Sequence, residues 1–248
     1  MSTGKQNPLA AAEAADKRRK IAIQIGVAGV LVALVAAIGI GIAVNRSDDD
    51  SSTASSVQQL PATDGAVTES GTVRIGDPDA PVKVRVVADL QCPGCKQFEA
   101  ANGEALAEAA ANGTAVIDYQ IISFLDRAST NQYSSRAANA SFCVADADAG
   151  KYQTWLQTMF ARQSAEGGAG LTNEQLVQIA NEVGYTDPAV ATCINDKPYG
   201  DYITQVTQET LSSGVESTPA VFINGELNQS DAVFTKNGLA SVIADAAK

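Results

Sequence analysis

The chain has 248 residues, 45% of them hydrophobic, a length that allows one large domain with an anchor or two small domains. Its formal net charge of −11 makes a surface that repels phosphates, so no nucleic-acid partner is expected. It contains no histidine, which excludes Ser-His-Asp and Cys-His catalysis and any metal site built on imidazole.

Ile21–Val44 is a run of 24 uncharged residues in which Gln24 is the one strongly polar side chain. As a helix it reaches about 36 Å, enough to cross a hydrocarbon core of ~30 Å with some tilt. A signal-peptide core is usually about 7–15 residues, so the run reads as a retained membrane span. Lys17, Arg18, Arg19 and Lys20 precede it, whereas Arg46 is followed by Asp48, Asp49 and Asp50. The excess of positive charge on the inner side assigns residues 1–20 to a cytoplasmic tail, 21–44 to the anchor and the rest to the outside. Residues 45–69 read as a linker, with Ser47–Ser56 almost free of apolar side chains.

The outer domain is expected over residues 70–248. Thr72–Ile75 is a short strand, and Gly76-Asp77-Pro78-Asp79 a turn. Pro81–Ala88 alternates valine with lysine and arginine and then turns apolar, as a strand entering a core does. Cys92-Pro93-Gly94-Cys95 follows and opens a helix that runs to Ala111 and stops at Asn112-Gly113. Thr114–Phe124 is rich in β-branched and aromatic residues and reads as a second core strand. Strand, helix and strand make a βαβ unit with the cysteine pair at its first junction. Residues 131–213 read as an inserted helical block, within which Thr172-Asn173-Glu174-Gln175 is a capping box. Ala220–Asn224 is a strand, Asn224-Gly225 a hairpin turn and Leu239–Ala247 a closing helix.

Four cysteines stand in the chain: Cys92, Cys95, Cys143 and Cys193. A helix N-terminus carries roughly half a positive charge and unpaired N–H groups, so a thiol placed there ionises easily. With Pro93 at the first helical position, Cys92 lies at the cap and Cys95 one turn inward. In this reading Cys92 attacks and Cys95 resolves. Half a zinc knuckle and an inert structural disulfide are the competing uses of Cys-x-x-Cys; Cys143 and Cys193, 50 residues apart, offer no second close pair for zinc, and no metal is expected. Cys143 and Cys193 have apolar neighbours and are expected to form a structural disulfide, with a second redox pair as the alternative.

The run from Cys92 to Glu99 (CPGCKQFE) resembles the active-site helix of DsbA-like proteins. The run Thr218–Gly225 (TPAVFING) is similar to the family's second landmark, a cis-proline followed by a strand and a turn. The resemblance implies an α/β, thioredoxin-like fold with an inserted helical domain, preceded by one transmembrane helix, as in tethered relatives from Gram-positive actinobacteria. It implies that Thr218 and Pro219 bind substrate backbone, that Glu99 moves protons for Cys95, and that no cofactor is needed. Gly94 stands where many strong oxidants have histidine, and Thr218 is reminiscent of isomerase-type relatives, so oxidase, isomerase and reductase directions all stay open. The expected partners are exported proteins with cysteines, a membrane or extracytoplasmic redox partner, and the membrane itself through Ile21–Val44. A copper-delivering module and a non-catalytic protein-binding module are the other classes.

Overall fold

A computed structural model describes residues 66–248. The expected tail, anchor and most of the linker lie outside the described residues. No helix among the described residues is long and apolar enough to cross a membrane.

Five strands form one sheet: β1 Val73–Ile75, β2 Val82–Ala88, β3 Ala115–Ile121, β4 Ala220–Ile223 and β5 Glu226–Leu227. Their spatial order is β1-β3-β2-β4-β5. Only β2 and β3 run parallel, and the helix α1, Pro93–Ala111, is the crossover between them. A parallel pair requires such a crossover, which the strand-helix-strand reading supplied. Central β2 pairs on both sides, Val86 facing Tyr119 on β3 and Val221 on β4. Its outer half alternates, with Lys83 exposed, while Val86, Val87 and Ala88 are all buried. Ahead of β1, Val67 is already buried and bridges Val73.

Asn224 and Gly225 both take positive φ, 50° and 89°, and close the β4–β5 hairpin. Both central residues of such a turn need the left-handed region, which glycine and asparagine reach at least cost.

The inserted block holds five helices: α2 Tyr133–Ala147, α3 Tyr152–Ala161, α4 Asn173–Glu182, α5 Pro188–Asp196 and α6 Gly200–Ser212. Thr172 caps α4 through a reciprocal capping box with Gln175, as the pattern predicts. The closing helix α7 spans Gly238–Ala246. Helix α1 packs against β3, α3 and α7, while α2 packs on α5 and α6. Trp155, Tyr119, Tyr152, Phe98 and Leu106 are fully buried and join the insertion to the sheet in one core. Aromatic contacts run through it, with ring centroids 6.0 Å apart for Tyr119–Tyr152 and 5.9 Å for Tyr152–Trp155.

One strand is shorter than its composition suggests. The residues to Phe124 read as strand, yet β3 ends at Ile121. The Leu125 N–H donates to the Asp89 carboxylate, 2.8 Å, and Ser123 N–H to the Thr207 hydroxyl, 3.0 Å. Side chains from elsewhere take the donors that a longer ladder would use.

Candidate active site

Cys92 is the N-cap of α1, in extended conformation (φ −75°, ψ 120°), with Pro93 in the first turn. The proline lacks the N–H that would be an orphan at that position, so the helix starts there without loss. Cys95 follows one turn on and is fully buried, whereas Cys92 keeps 9% of its surface. Both are free thiols.

The peptide between Thr218 and Pro219 is cis. The Cys92 thiol lies 3.3 Å from the Thr218 carbonyl, to which it donates. Two segments 126 residues apart thus meet at one sulfur. The Thr218 hydroxyl is buried without a hydrogen-bond partner, and the Thr218 side chain lowers the pKa of both cysteines.

The environment drives the two thiols apart. The Cys95 thiol, with the Thr218 side chain and the Cys95 and Gly94 N–H groups around the sulfur, brings Cys92 down to about 5, against the opposing effect of burial. Cys95 is pushed well above the ordinary thiol range, first by burial and then by its neighbour's charge. Near neutral pH this gives one thiolate that keeps a little exposure and one thiol that has none. Gly94 contributes through its backbone and leaves space: a Cβ there would sit 3.3 Å from Pro219 Cδ and 3.6 Å from Cys92 Sγ. Lys96 does not reach the thiolate; its Nζ donates to the Ala161 carbonyl at 3.4 Å.

Glu99 stands one turn beyond Cys95 on α1 and is 5% exposed. Oε1 accepts from Gln153 Nε2 at 3.1 Å, while Oε2 has no partner. Burial raises its carboxyl to about 7. The space it occupies depends on Gly103, where a Cβ would come within 2.4 Å of Oε1 and must displace it. Glu99 lines a cavity of about 530 Å³ between α1 and α3, together with Lys96, Glu104, Gln157 and Phe160. A second cavity, about 360 Å³, adjoins Pro219 and is lined by Val221, Phe222, Leu227 and Phe234. Leu227 and Phe234 are exposed by 48% and 55%.

The model of the thioredoxin family ("Thioredoxin") matches residues 68–239, more than half of the chain. Reduced DsbA from Mycobacterium tuberculosis is 30% identical, with a TM-score of 0.58 over 71% of this chain and 99% of that one. The chain belongs to the thioredoxin family, on its DsbA-like branch. Reduced DsbG from the same organism is similar to this DsbA-like chain at 29% identity, over 74% of this chain and 96% of that one, TM-score 0.60. MdbA from Actinomyces oris, at 19% identity, shares the fold (TM-score 0.62, 73% and 88% covered). The serine/threonine-protein kinase PknE of M. tuberculosis is 30% identical over 146 residues, 57% of this chain. The chain spans about a quarter of the length of that kinase, with 25% covered.

The DsbA-like architecture thus brings Cys92, Pro93, Gly94, Cys95, Thr218 and Pro219 together, with Glu99 one turn away on the same helix. Cys143 and Cys193 form a disulfide joining α2 to α5, Cα atoms 5.8 Å apart. Among the described residues no group of three or more metal-ligating acids or cysteines occurs.

Three further residues shape the site without any mark in the motifs. Asp89 is fully buried behind Cys92 and accepts three hydrogen bonds. Gln163 Nε2 donates to the Leu90 and Cys92 carbonyls, both at 3.0 Å. Asn102 ties α1 to α7, donating to the Val233 carbonyl at 2.9 Å and accepting from Leu239 N–H at 2.9 Å. The one signal for Asp89 in the sequence is an acid at the end of an apolar strand.

Proposed function

We propose that the chain is an extracytoplasmic thiol–disulfide oxidoreductase that donates disulfides to exported proteins while tethered by Ile21–Val44. The observation that carries this reading is Cys92 at the cap of α1 beside the cis-proline loop, its pKa near 5. A stabilised thiolate stabilises the reduced enzyme, and a stable reduced form makes the disulfide a strong oxidant.

In the oxidising direction a substrate thiolate attacks Cys92 Sγ of the Cys92–Cys95 disulfide. A mixed disulfide forms, the Cys92–Cys95 bond breaks, and Cys95 leaves with the electron pair. Its raised pKa calls for a proton at once, and Glu99, protonated near neutrality, is the donor within one helical turn. The second substrate thiolate then attacks its own partner sulfur and expels Cys92, which departs readily as a stable thiolate. Thr218 and Pro219 hold the substrate backbone in extended form. The apolar groove with Leu227 and Phe234 takes its flanking side chains. A membrane or extracytoplasmic redox partner reoxidises the pair.

The reduction potential of Cys92–Cys95 against glutathione tests the direction. A value near about −120 mV supports a disulfide donor, and one near about −270 mV turns the reading into a reductase.

Glu99 carries a measurable pH signature. Between its unfolded pKa of 4.5 and its folded value of about 7, the native state holds a proton that the unfolded state has released. Stability therefore falls as pH rises through that window, by about 3 kcal/mol in total. Glu99→Gln should abolish this part of the decline in denaturant titrations from pH 4 to 8, and slow mixed-disulfide formation on the oxidised enzyme. An unchanged pH–stability curve in the variant would show that Glu99 titrates normally and is no proton store.

A further inference from the structure

We propose that Asp89 is a second buried acid of this active site, a positioning residue that clamps the Cys92 turn to the helical insertion and whose negative charge opposes the Cys92 thiolate. The proposal rests on Cys92 being the nucleophile.

Asp89 is fully buried at the junction of β2 and α1. Its Oδ1 accepts from Gln91 N–H and from the Ser134 hydroxyl, both at 2.8 Å, and its Oδ2 from Leu125 N–H at 2.8 Å. These donors come from the active-site turn, the first turn of α2 and the loop leaving β3. The main chain of the same residue meets both cysteines. Its carbonyl accepts from Cys92 N–H at 3.0 Å, and its N–H stabilises a negative charge on Cys95. Gln91 binds the β3 loop a second time, Nε2 donating to the Leu125 carbonyl at 2.9 Å. One residue thus joins three segments and meets both cysteines through its main chain.

Among the described residues no lysine or arginine forms an ion pair with Asp89. An unpaired buried charge is costly. An amide would turn an NH₂ group toward a donor, so the three converging donors keep an anion in place. That anion belongs to the residue whose carbonyl holds the Cys92 N–H, and it interacts repulsively with the thiolate. Burial raises the Asp89 carboxyl to about 6, and a negative charge on Cys92 adds to that rise.

The titratable groups facing Asp89 are Cys92 and Cys95 on α1 and Tyr133 on α2, with Arg136 against the Tyr133 ring. Asp126, in the β3 loop, directs its carboxylate to Ser135. When the disulfide is reduced, Cys92 acquires charge and the proton affinity of Asp89 rises. When the pair is reoxidised, Asp89 releases that proton.

The test uses full-length protein and two variants. Asp89→Asn removes the charge, whereas Ser134→Ala removes one hydrogen bond of the clamp and keeps the charge. The readouts are the pH midpoint of Cys92 alkylation, the dithiol–disulfide equilibrium with glutathione, and Tm. Both variants should lower Tm. Asp89→Asn alone should lower the Cys92 midpoint by roughly half to one unit, and shift the equilibrium toward the dithiol by about threefold to tenfold. A midpoint that stays or rises in Asp89→Asn, or that moves equally in Ser134→Ala, overturns the proposal and leaves Asp89 a brace. Should Asp89→Asn fail to fold, the carboxyl of Asp89 in ¹³C-labelled wild-type protein gives the answer. Its midpoint should be higher in the reduced than in the oxidised form, and equal midpoints refute the coupling. A wild-type Cys92 midpoint at an ordinary thiol value would instead strike at the functional reading itself.

Discussion

Cys95→Ser should accumulate mixed disulfides with substrate proteins, whereas Cys92→Ser should lose thiol exchange by on the order of a thousandfold or more. The asymmetry follows from access and acidity. Cys92 holds the more accessible, low-pKa sulfur, and Cys95 is fully buried with its pKa raised. When the Cys92 thiolate attacks a disulfide of a substrate, the resulting mixed disulfide has no Cys95 thiol to resolve it, so it persists. Serine replaces either sulfur with little change in volume, so both variants should keep native near-UV dichroism. The measurement is refolding of a model substrate that carries scrambled disulfides, with non-reducing electrophoresis to display trapped species. If Cys95→Ser and Cys92→Ser behave alike, or if Cys92→Ser refolds substrate at the wild-type rate, the division of labour is wrong.

The second large effect concerns stability. Replacing Cys143 and Cys193 together by alanine should cost about 4 kcal/mol, the chain-entropy value for a loop of 50 residues. For a domain of this size that lowers Tm by roughly 10 °C. Cys143 is 3% exposed, and the buried Asn139 fastens the same place. The Asn139 amide donates to the Cys193 carbonyl at 3.2 Å, and its oxygen accepts from Tyr199 N–H at 3.2 Å. These contacts hold the α5–α6 junction on α2, so the double variant should still fold. The Cys92–Cys95 potential should be unaltered. A structural bond also resists mild reductant longer than the Cys92–Cys95 disulfide; if both open together, or if the potential shifts in the double variant, the pair is a relay and not a staple.

Much of the architecture was legible from neighbouring residues. Pro93 after Cys92 marked the start of α1, Thr172 with Gln175 the start of α4, and Asn224-Gly225 the hairpin. Each signal works within about four residues, through a fixed φ, a missing N–H or a reciprocal hydrogen bond. The two motifs that carry the DsbA-like resemblance also lie in short runs, which is why Cys92, Cys95, Thr218 and Pro219 could be named together.

Long-range partners were not legible. Asp89 reads as one polar residue in a junction until Leu125 and Ser134, 36 and 45 positions away, supply donors for its carboxylate. Asn102 looks like an ordinary polar helix residue, yet it is fully buried and clasps the start of α7 137 positions on. The end of β3 at Ile121 was hidden for the same reason, because Asp89 and Thr207 capture the next N–H groups.

The sequence by itself determined where several elements start and which two cysteines open α1, since capping, turn chemistry and hydrophobic period are local properties. Tertiary structure alone decided the acidities. The same thiol type becomes Cys92 near 5 and Cys95 far above it because one sulfur collects hydrogen bonds at a helix cap while the other loses water. Desolvation and converging donors belong to the packed fold, and no run of adjacent residues encodes them.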